Sequence, residues 1–282
     1  MIGKKDAPLA SARSTSATKK RGFIVPESLQ DTLADIVHEQ KFQTNMKKLV
    51  GDKFRNEDIK GDDYSRWQLR LDRITKERST HWGFEATAMC QHLTIPLWGR
   101  LYKPIAHLKS WQRLIVPSYG RGTWQILNRM YDSGLDSPMP IYYATVKSGA
   151  WLPNSLLLTE HVGDILEVQT NLKNDSLHID ESGKLKLFHQ LAQFANRLHA
   201  IGIYAFPLRY FHIAATHLHT DEHKFYLCDL DKALLWNPSA CGLLHNLLRR
   251  KDVHRLTKQI HMYAGHKAAD HFLIPIKEPY TR

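Results

Sequence analysis

Leu187, Phe188, Leu191, Phe194 and Leu198 recur at the spacing that lays apolar side chains along one helical face, and Gly202 supplies the residue that stops such a helix. Two apolar and aromatic runs, 214–218 and 225–230, then flank Thr220-Asp221-Glu222-His223, which predicts a hairpin whose second strand reaches Asp229. Upstream, Leu29, Leu33, Ile36 and Val37 predict a helix over 28–48, opened by Ser28 with Asp31 in a capping-box-like pair. Trp67, Leu69, Leu71 and Ile74 predict a second helix over 63–76. Residues 84–90 and 96–103 are expected as strands, and Trp124, Leu127 and Tyr131 mark a helix stopped by Gly134. Strands over 141–146 and 156–159 follow, and stretches 241–248 and 253–263 are expected to be two closing helices.

Composition narrows the class. With 282 residues, 43% of them hydrophobic, the chain can bury a sizeable core as one domain with an extension or as two small domains. No apolar run approaches the roughly 18 residues of a membrane-spanning helix, and the first residues lack the apolar segment of a secretory signal, so the cytoplasm is the expected compartment. Cys90, Cys228 and Cys241 are odd in number and have no Cys-x-x-Cys spacing, which argues against a disulfide framework or a thiolate zinc site. His217, His219 and His223 share a hairpin, but no fourth ligand joins them and the hairpin itself accounts for the segment. A formal net charge of +11 points to an anionic partner, and the polar, basic residues 1–22 are expected as a disordered arm.

Helix, loop, hairpin and strand-end Asp is the order of parts in the catalytic half of protein-kinase-like enzymes. The phrase from Arg197-Leu198-His199 through Gly202-Ile203-Tyr204 to Asp229-Leu230-Asp231-Lys232 resembles the lipopolysaccharide-core kinases, the heptose and Kdo kinases and their relatives. That resemblance implies an α+β, bilobal protein-kinase-like fold with a small β-rich lobe, a mainly helical large lobe and an N-terminal helical extension. The expected division is a disordered arm at 1–22, a helical extension at 23–80, a small lobe at 81–162 and a large lobe at 163–282. It also implies ATP and Mg²⁺ as cofactors, with Asp229 on the metal and His212 at the metal-side loop position. Backbone groups around Glu160 and Val162, in the sequence Thr-Glu-His-Val-Gly, would face the adenine at the hinge.

Several positions depart from the family pattern. Pro207 stands where the catalytic Asp belongs, and a proline neither accepts a proton nor orients a hydroxyl. No Gly-x-Gly-x-x-Gly is present, the strand Lys is represented by Gly99 with Arg100 or Lys103 nearby, and Thr123 takes the place of the helix Glu. No catalytic residue is therefore expected. The sequence predicts a pseudokinase acting by binding an anionic lipid, a lipopolysaccharide intermediate or a protein partner in envelope assembly, at the inner face of the cytoplasmic membrane. An active divergent kinase phosphorylating a lipopolysaccharide-core sugar is the alternative. A basic nucleic-acid-binding module ranks last, because no groove-reading or strand-stacking motif accompanies the charge.

Overall fold

The computed structural model describes residues 29–53, 67–77, 81–91, 93–102, 119–146, 154–163, 166–167, 180–204, 213–216, 224–227, 230–231 and 233–277. Five antiparallel strands form the main sheet: β1 (Gln68–Glu77), β2 (His81–Cys90), β3 (Leu93–Tyr102), β4 (Pro140–Val146) and β5 (Asn154–Glu160), in the order β1-β2-β3-β5-β4. The residues expected as a helix over 63–76 are thus, from Gln68 onward, a strand. Trp67, Leu71 and Ile74 fit a helical spacing while Trp67, Leu69 and Leu71 fit an alternating one, and pairing along β2, with Leu69 opposite Ala88 and Ile74 opposite Phe84, decides for the strand. Part of the stretch expected to lie in the extension therefore belongs to the sheet.

The helix expected over 28–48 is two helices among the described residues, α1 (Leu29–Ile36) and α2 (Gln40–Lys53). His38 and Glu39 donate their N–H groups three residues back, to the carbonyls of Asp35 and Ile36, and Gln43 Nε2 donates to Val37 O at 3.0 Å. The break buries Val37 and turns α2 onto the sheet. Leu33, Phe42, Met46 and Leu49 then share one core with Phe84, Leu97, Leu101 and Leu158. At the edge of that sheet, the Gln30 amide donates to Leu69 O (3.0 Å) and accepts from Leu71 N (2.7 Å). A helix side chain thereby occupies backbone groups that an edge strand leaves open to pairing with another chain.

On the opposite face, helix α3 (Tyr119–Asp132) brings Ile126, Leu127 and Met130 into a second core with Tyr102 and Leu157. Gly134, at φ +65°, closes α3 as expected, with Leu135 N reaching back to Met130 O. The same core continues into the larger, helical part of the molecule. Two residues, β6 (Leu166–Glu167), come first; then α4 (Glu181–Ala200) starts at Asp180, whose carboxylate accepts from Gly183 N at 2.8 Å. Its apolar stripe is the expected one: Leu187, Phe188, Leu191 and Leu198 are buried. Gly202 is required twice over, by φ +81° and because a Cβ there would sit 1.8 Å from Trp236 O.

Short strands follow: β7 (Ile203–Tyr204), β8 (Ile213–Thr216), β9 (Lys224–Leu227) and β10 (Leu234–Leu235). The pair β8–β9 is the expected hairpin, flanked by β6, while β7 pairs with β10. The closing region differs from the expected two helices at 241–248 and 253–263. It is one helix, α5 (Gly242–Ala264), followed by α6 (His266–Lys277). The inward stripe of α5 is Leu248, Asp252, Leu256 and Ile260, and a buried Asp at its centre hides the apolar period from a hydropathy reading. His199 lies 3.3 Å from Asp252 and gives that carboxylate its partner across the α4–α5 junction.

Candidate functional site

The site begins with alternation along β3. Ile95, Leu97, Gly99 and Leu101 point into the core shared with the extension, so Trp98, Arg100 and Tyr102 point the other way, toward the cleft. A Cβ on Gly99 would lie 2.0 Å from the Phe84 ring, which fixes glycine there for packing. Gly99 therefore faces away from the cleft, and the basic side chain that β3 presents to it is Arg100.

Asp231 meets that face from the large lobe. Leu230, 3% exposed, is anchored in the core, and the next residue turns its carboxylate back onto β2 and β3. Tyr102 Oη lies 3.0 Å from Asp231 Oδ1 and His81 Nδ1 lies 3.1 Å from Oδ2, while an Arg100 guanidinium nitrogen is 3.8 Å from Oδ1. The Asp231 side chain is 3% exposed, so these groups replace the water that an isolated carboxylate would otherwise lose on burial. Tyr102 Oη is also 3.2 Å from Thr123 Oγ1 on α3. A phenol carries one proton, and the carboxylate, an acceptor only when ionised, takes it; the Thr123 hydroxyl then donates to the phenol oxygen. Burial pushes the Tyr102 phenol up to about 12, with Arg100 opposing and Asp231 adding to the shift, so it remains a donor at neutral pH.

Close backbone approach makes this arrangement possible. A Cβ at Gly120 would meet Ser155 Oγ at 2.4 Å and the Tyr102 ring at 2.9 Å, so the first turn of α3 can seat against β3 and β5 only as glycine. Thr123 then lands over the Tyr102 hydroxyl. The position expected for the helix Glu is filled by a neutral hydroxyl whose partner is a phenol, and Arg100 has Asp231 as its counter-charge.

Glu160 and Val162 follow the end of β5. The Glu160 side chain is buried and accepts from Met139 N at 3.2 Å, and its own N–H donates to Met139 O at 2.9 Å. The carboxylate thus ties β5 to the entrance of β4, and His161 N continues the sheet to Pro96 O at 3.3 Å. Val162 is half-buried just beyond the last strand residue. Lys103, Pro207, His212 and Asp229 lie outside the described residues, as do His217, His219, His223 and Cys228. Among the described residues no group of His, Cys, Asp and Glu is placed to hold a metal ion.

Two features of the sequence and the described residues bear on how a nucleotide triphosphate would be held in this cleft. The whole connection from β1 to β2 is residues 78–80, Arg-Ser-Thr, with no glycine to bring backbone amides close to a phosphate. The cation on β3 already faces a buried carboxylate. Sequence spacing had a usable signal for Asp231, the second acid of Asp229-Leu230-Asp231, since residues two apart in an extended segment share a side. For His81 and Tyr102 it had none, because they reach Asp231 from 150 and 129 residues away.

A small five-stranded lobe with one helix, joined through a short connection to a helical lobe, defines a bilobal protein-kinase-like fold. Residues 66–264 match the profile of the Lipopolysaccharide kinase (Kdo/WaaP) family, well over half of the chain, and the chain belongs to that family. Among solved structures, WaaP in complex with acyl carrier protein superposes with a TM-score of 0.53 at 14% identity, over 74% of this chain and 80% of that one. The autoinhibited serine kinase domain of the giant muscle protein titin gives 0.42 at 12% identity, over 60% of this chain and 47% of that one. No curated protein sequence matches the chain significantly. No helix among the described residues is long and apolar enough to cross a membrane.

Proposed function

We propose that this protein is a catalytically impaired member of its kinase family, a pseudokinase that serves lipopolysaccharide or cell-envelope assembly by binding. The carrying observation is the Asp231 clasp. In an active kinase the strand cation holds nucleotide phosphates and is oriented by a helix carboxylate. Here Arg100 faces Asp231, and the helix position holds Thr123 against Tyr102. A triphosphate entering beside Arg100 would meet a buried carboxylate of like sign, and like charges in a poorly hydrated site repel strongly. Pro207 in place of the loop Asp adds the loss of general-base assistance, typically worth about 10² to 10⁴ in rate.

A protein partner is supported by the solved neighbour, which is bound to acyl carrier protein. The inner face of the cytoplasmic membrane is the proposed site of action. The test is acceptor-dependent phosphate transfer from ATP and Mg²⁺ to lipopolysaccharide-core acceptors, with a thermal-shift titration of the same nucleotide. The expected result is background transfer and an unchanged melting temperature. Transfer above background that disappears in Asp229→Ala would establish an active divergent kinase instead.

A further inference from the structure

Helix α5 distributes its charge unevenly. Its single acid, Asp252, is fully buried against His199, so the solvent side of the helix carries basic and neutral residues only. Leu243 is 85% exposed and Leu247, one turn on, is 50% exposed. Arg250, His254 and Lys258, all exposed, continue the same stripe at spacings of three to four residues, opposite the buried Leu248, Asp252, Leu256 and Ile260. A solvated basic face accounts for the arginine and lysine. It gives no reason for two outward leucines at the leading end of the stripe.

Along the flank of this stripe, α5 and α6 enclose an open groove of about 580 Å³, lined by Arg249, Arg250 and His254 with Val253, Leu273 and Ile276. The Arg249 guanidinium is held there by donating to Asn196 Oδ1 (3.2 Å) and to Ile276 O (2.9 Å). A held cation in a half-apolar slot, beside a helix with an apolar tip and a basic shaft, matches the boundary between acyl chains and anionic headgroups. Nucleic acid has equal use for the cations and none for exposed leucines.

We propose that the exposed face of α5 docks the protein on an anionic phospholipid surface. Leu243 and Leu247 enter the acyl–headgroup boundary, Arg250 and Lys258 lie over headgroup phosphates, and the α5–α6 groove seats one phosphate near Arg249. The docking face rests on the binding role proposed above for its setting only; nucleotide assays read the cleft and vesicle assays read α5, so either can fail alone.

The experiment is co-sedimentation of the full chain with vesicles of phosphatidylcholine, with and without phosphatidylglycerol, over a range of salt. Binding is expected to anionic vesicles only and to weaken with salt, with a loss of about fivefold in partitioning per basic residue removed in Arg250→Gln and Lys258→Gln. Leu243→Ser with Leu247→Ser is expected to weaken binding while leaving its salt dependence unchanged. All four side chains are exposed, so an unchanged melting temperature verifies that each variant is folded. Absence of binding, equal binding to neutral vesicles, or variants that bind like the parent would overturn the proposal. So would inorganic phosphate that displaces the protein from vesicles at concentrations matching the headgroups, which would make the groove a site for free phosphate.

Discussion

The phenol of Tyr102 and the carboxylate of Asp231 join the two lobes through a contact of 3.0 Å between groups that are almost wholly buried. One partner comes from the last residue of β3 and the other from the segment after β9, so this bond forms only when both lobes are folded and docked. Thr123 on one side and His81 on the other complete a small polar network inside an apolar junction. Such networks stabilise when every member is satisfied and destabilise when one is removed.

Removing the hydroxyl in Tyr102→Phe leaves Asp231 Oδ1 and Thr123 without their shared partner, and the expected loss is about 1–3 kcal/mol of unfolding free energy. Asp231→Ala is expected to cost at least as much, because it removes one hydrogen-bond partner from Tyr102 and one from His81. The two losses should be non-additive by more than about 0.5 kcal/mol in a double-mutant cycle measured by urea denaturation. Simple additivity would mean that the contact does not couple the lobes.

The same pair predicts an alkaline dependence. Because the folded phenol is raised from 10.0 to about 12, the unfolded chain gives up this proton first as pH rises. Tyr102 therefore contributes stability that is complete below pH 10 and declines as pH approaches 12. Tyr131 and Tyr142 are raised as well, by burial and by their carboxylate partners Asp52 and Glu39, so the informative quantity is a difference. Subtracting the Tyr102→Phe stability curve from the parent curve should isolate a loss confined to that window; a flat difference would contradict the assignment.

Pro207→Asp puts a carboxylate at the position proposed above for the loop base and leaves Arg100, Thr123 and residues 78–80 unchanged. Phosphoryl transfer depends on positioning and charge stabilisation as much as on a base. The expected outcome is no acceptor-dependent ADP release above the parent level. Turnover recovered by this single change would identify the proline as the sole defect and would make the Asp231 clasp compatible with nucleotide use.

The extension holds α3 through charge-on-ring contacts. Lys41 Nζ stands 4.4 Å from the centre of the Trp124 ring and Lys48 Nζ stands 4.5 Å from that of Tyr131, each pair one seven-residue step along its helix. Tyr131 also bonds Asp52, and Asn45 Nδ2 donates to Ile141 O at 2.7 Å. Lys41→Met and Lys48→Met are each expected to lower stability by about 0.5–1 kcal/mol. Amide hydrogen exchange along residues 119–132 should accelerate in the double variant more than exchange in α4, which locates the effect in α3 rather than in the whole fold.

Local pattern carried much of the fold. The stripe of α4, the α3 stop at Gly134 and the β8–β9 hairpin are set by residues close in sequence, where period and turn chemistry are sufficient. The strand at Gln68–Glu77 was not legible, because Trp67, Leu71 and Ile74 also satisfy a helical spacing and only the distant pairing with β2 excludes it. The break between α1 and α2 has no glycine or proline to announce it. At the site, the family pattern put Gly99 at the strand-Lys position with Arg100 or Lys103 nearby, and only the Phe84 ring packed on Gly99 shows that this residue faces the core while Arg100 faces the cleft. Asp231 was overshadowed by its neighbour Asp229, and its partners are non-local.

The second inter-element carboxylate, Asp252, yields the largest expected single effect. It is fully buried in the middle of α5, and His199 Nε2, 3.3 Å away and itself 2% exposed, reaches it from the last turn of α4. The His199 ring stacks on Tyr204 at 5.6 Å, and the Tyr204 hydroxyl bonds His245 near the start of α5, so one polar chain fastens the end of α4 and the turn through Gly202 onto α5. His199→Ala removes a buried ring, which leaves a cavity, and takes a hydrogen-bond partner from a buried carboxylate, a combined cost of about 3–5 kcal/mol. His199→Ala should therefore shift the urea midpoint far more than Tyr102→Phe, with the loss appearing first as faster hydrogen exchange around residues 196–204. A His199→Ala protein as stable as the parent would show that Asp252 is held by its other neighbours alone.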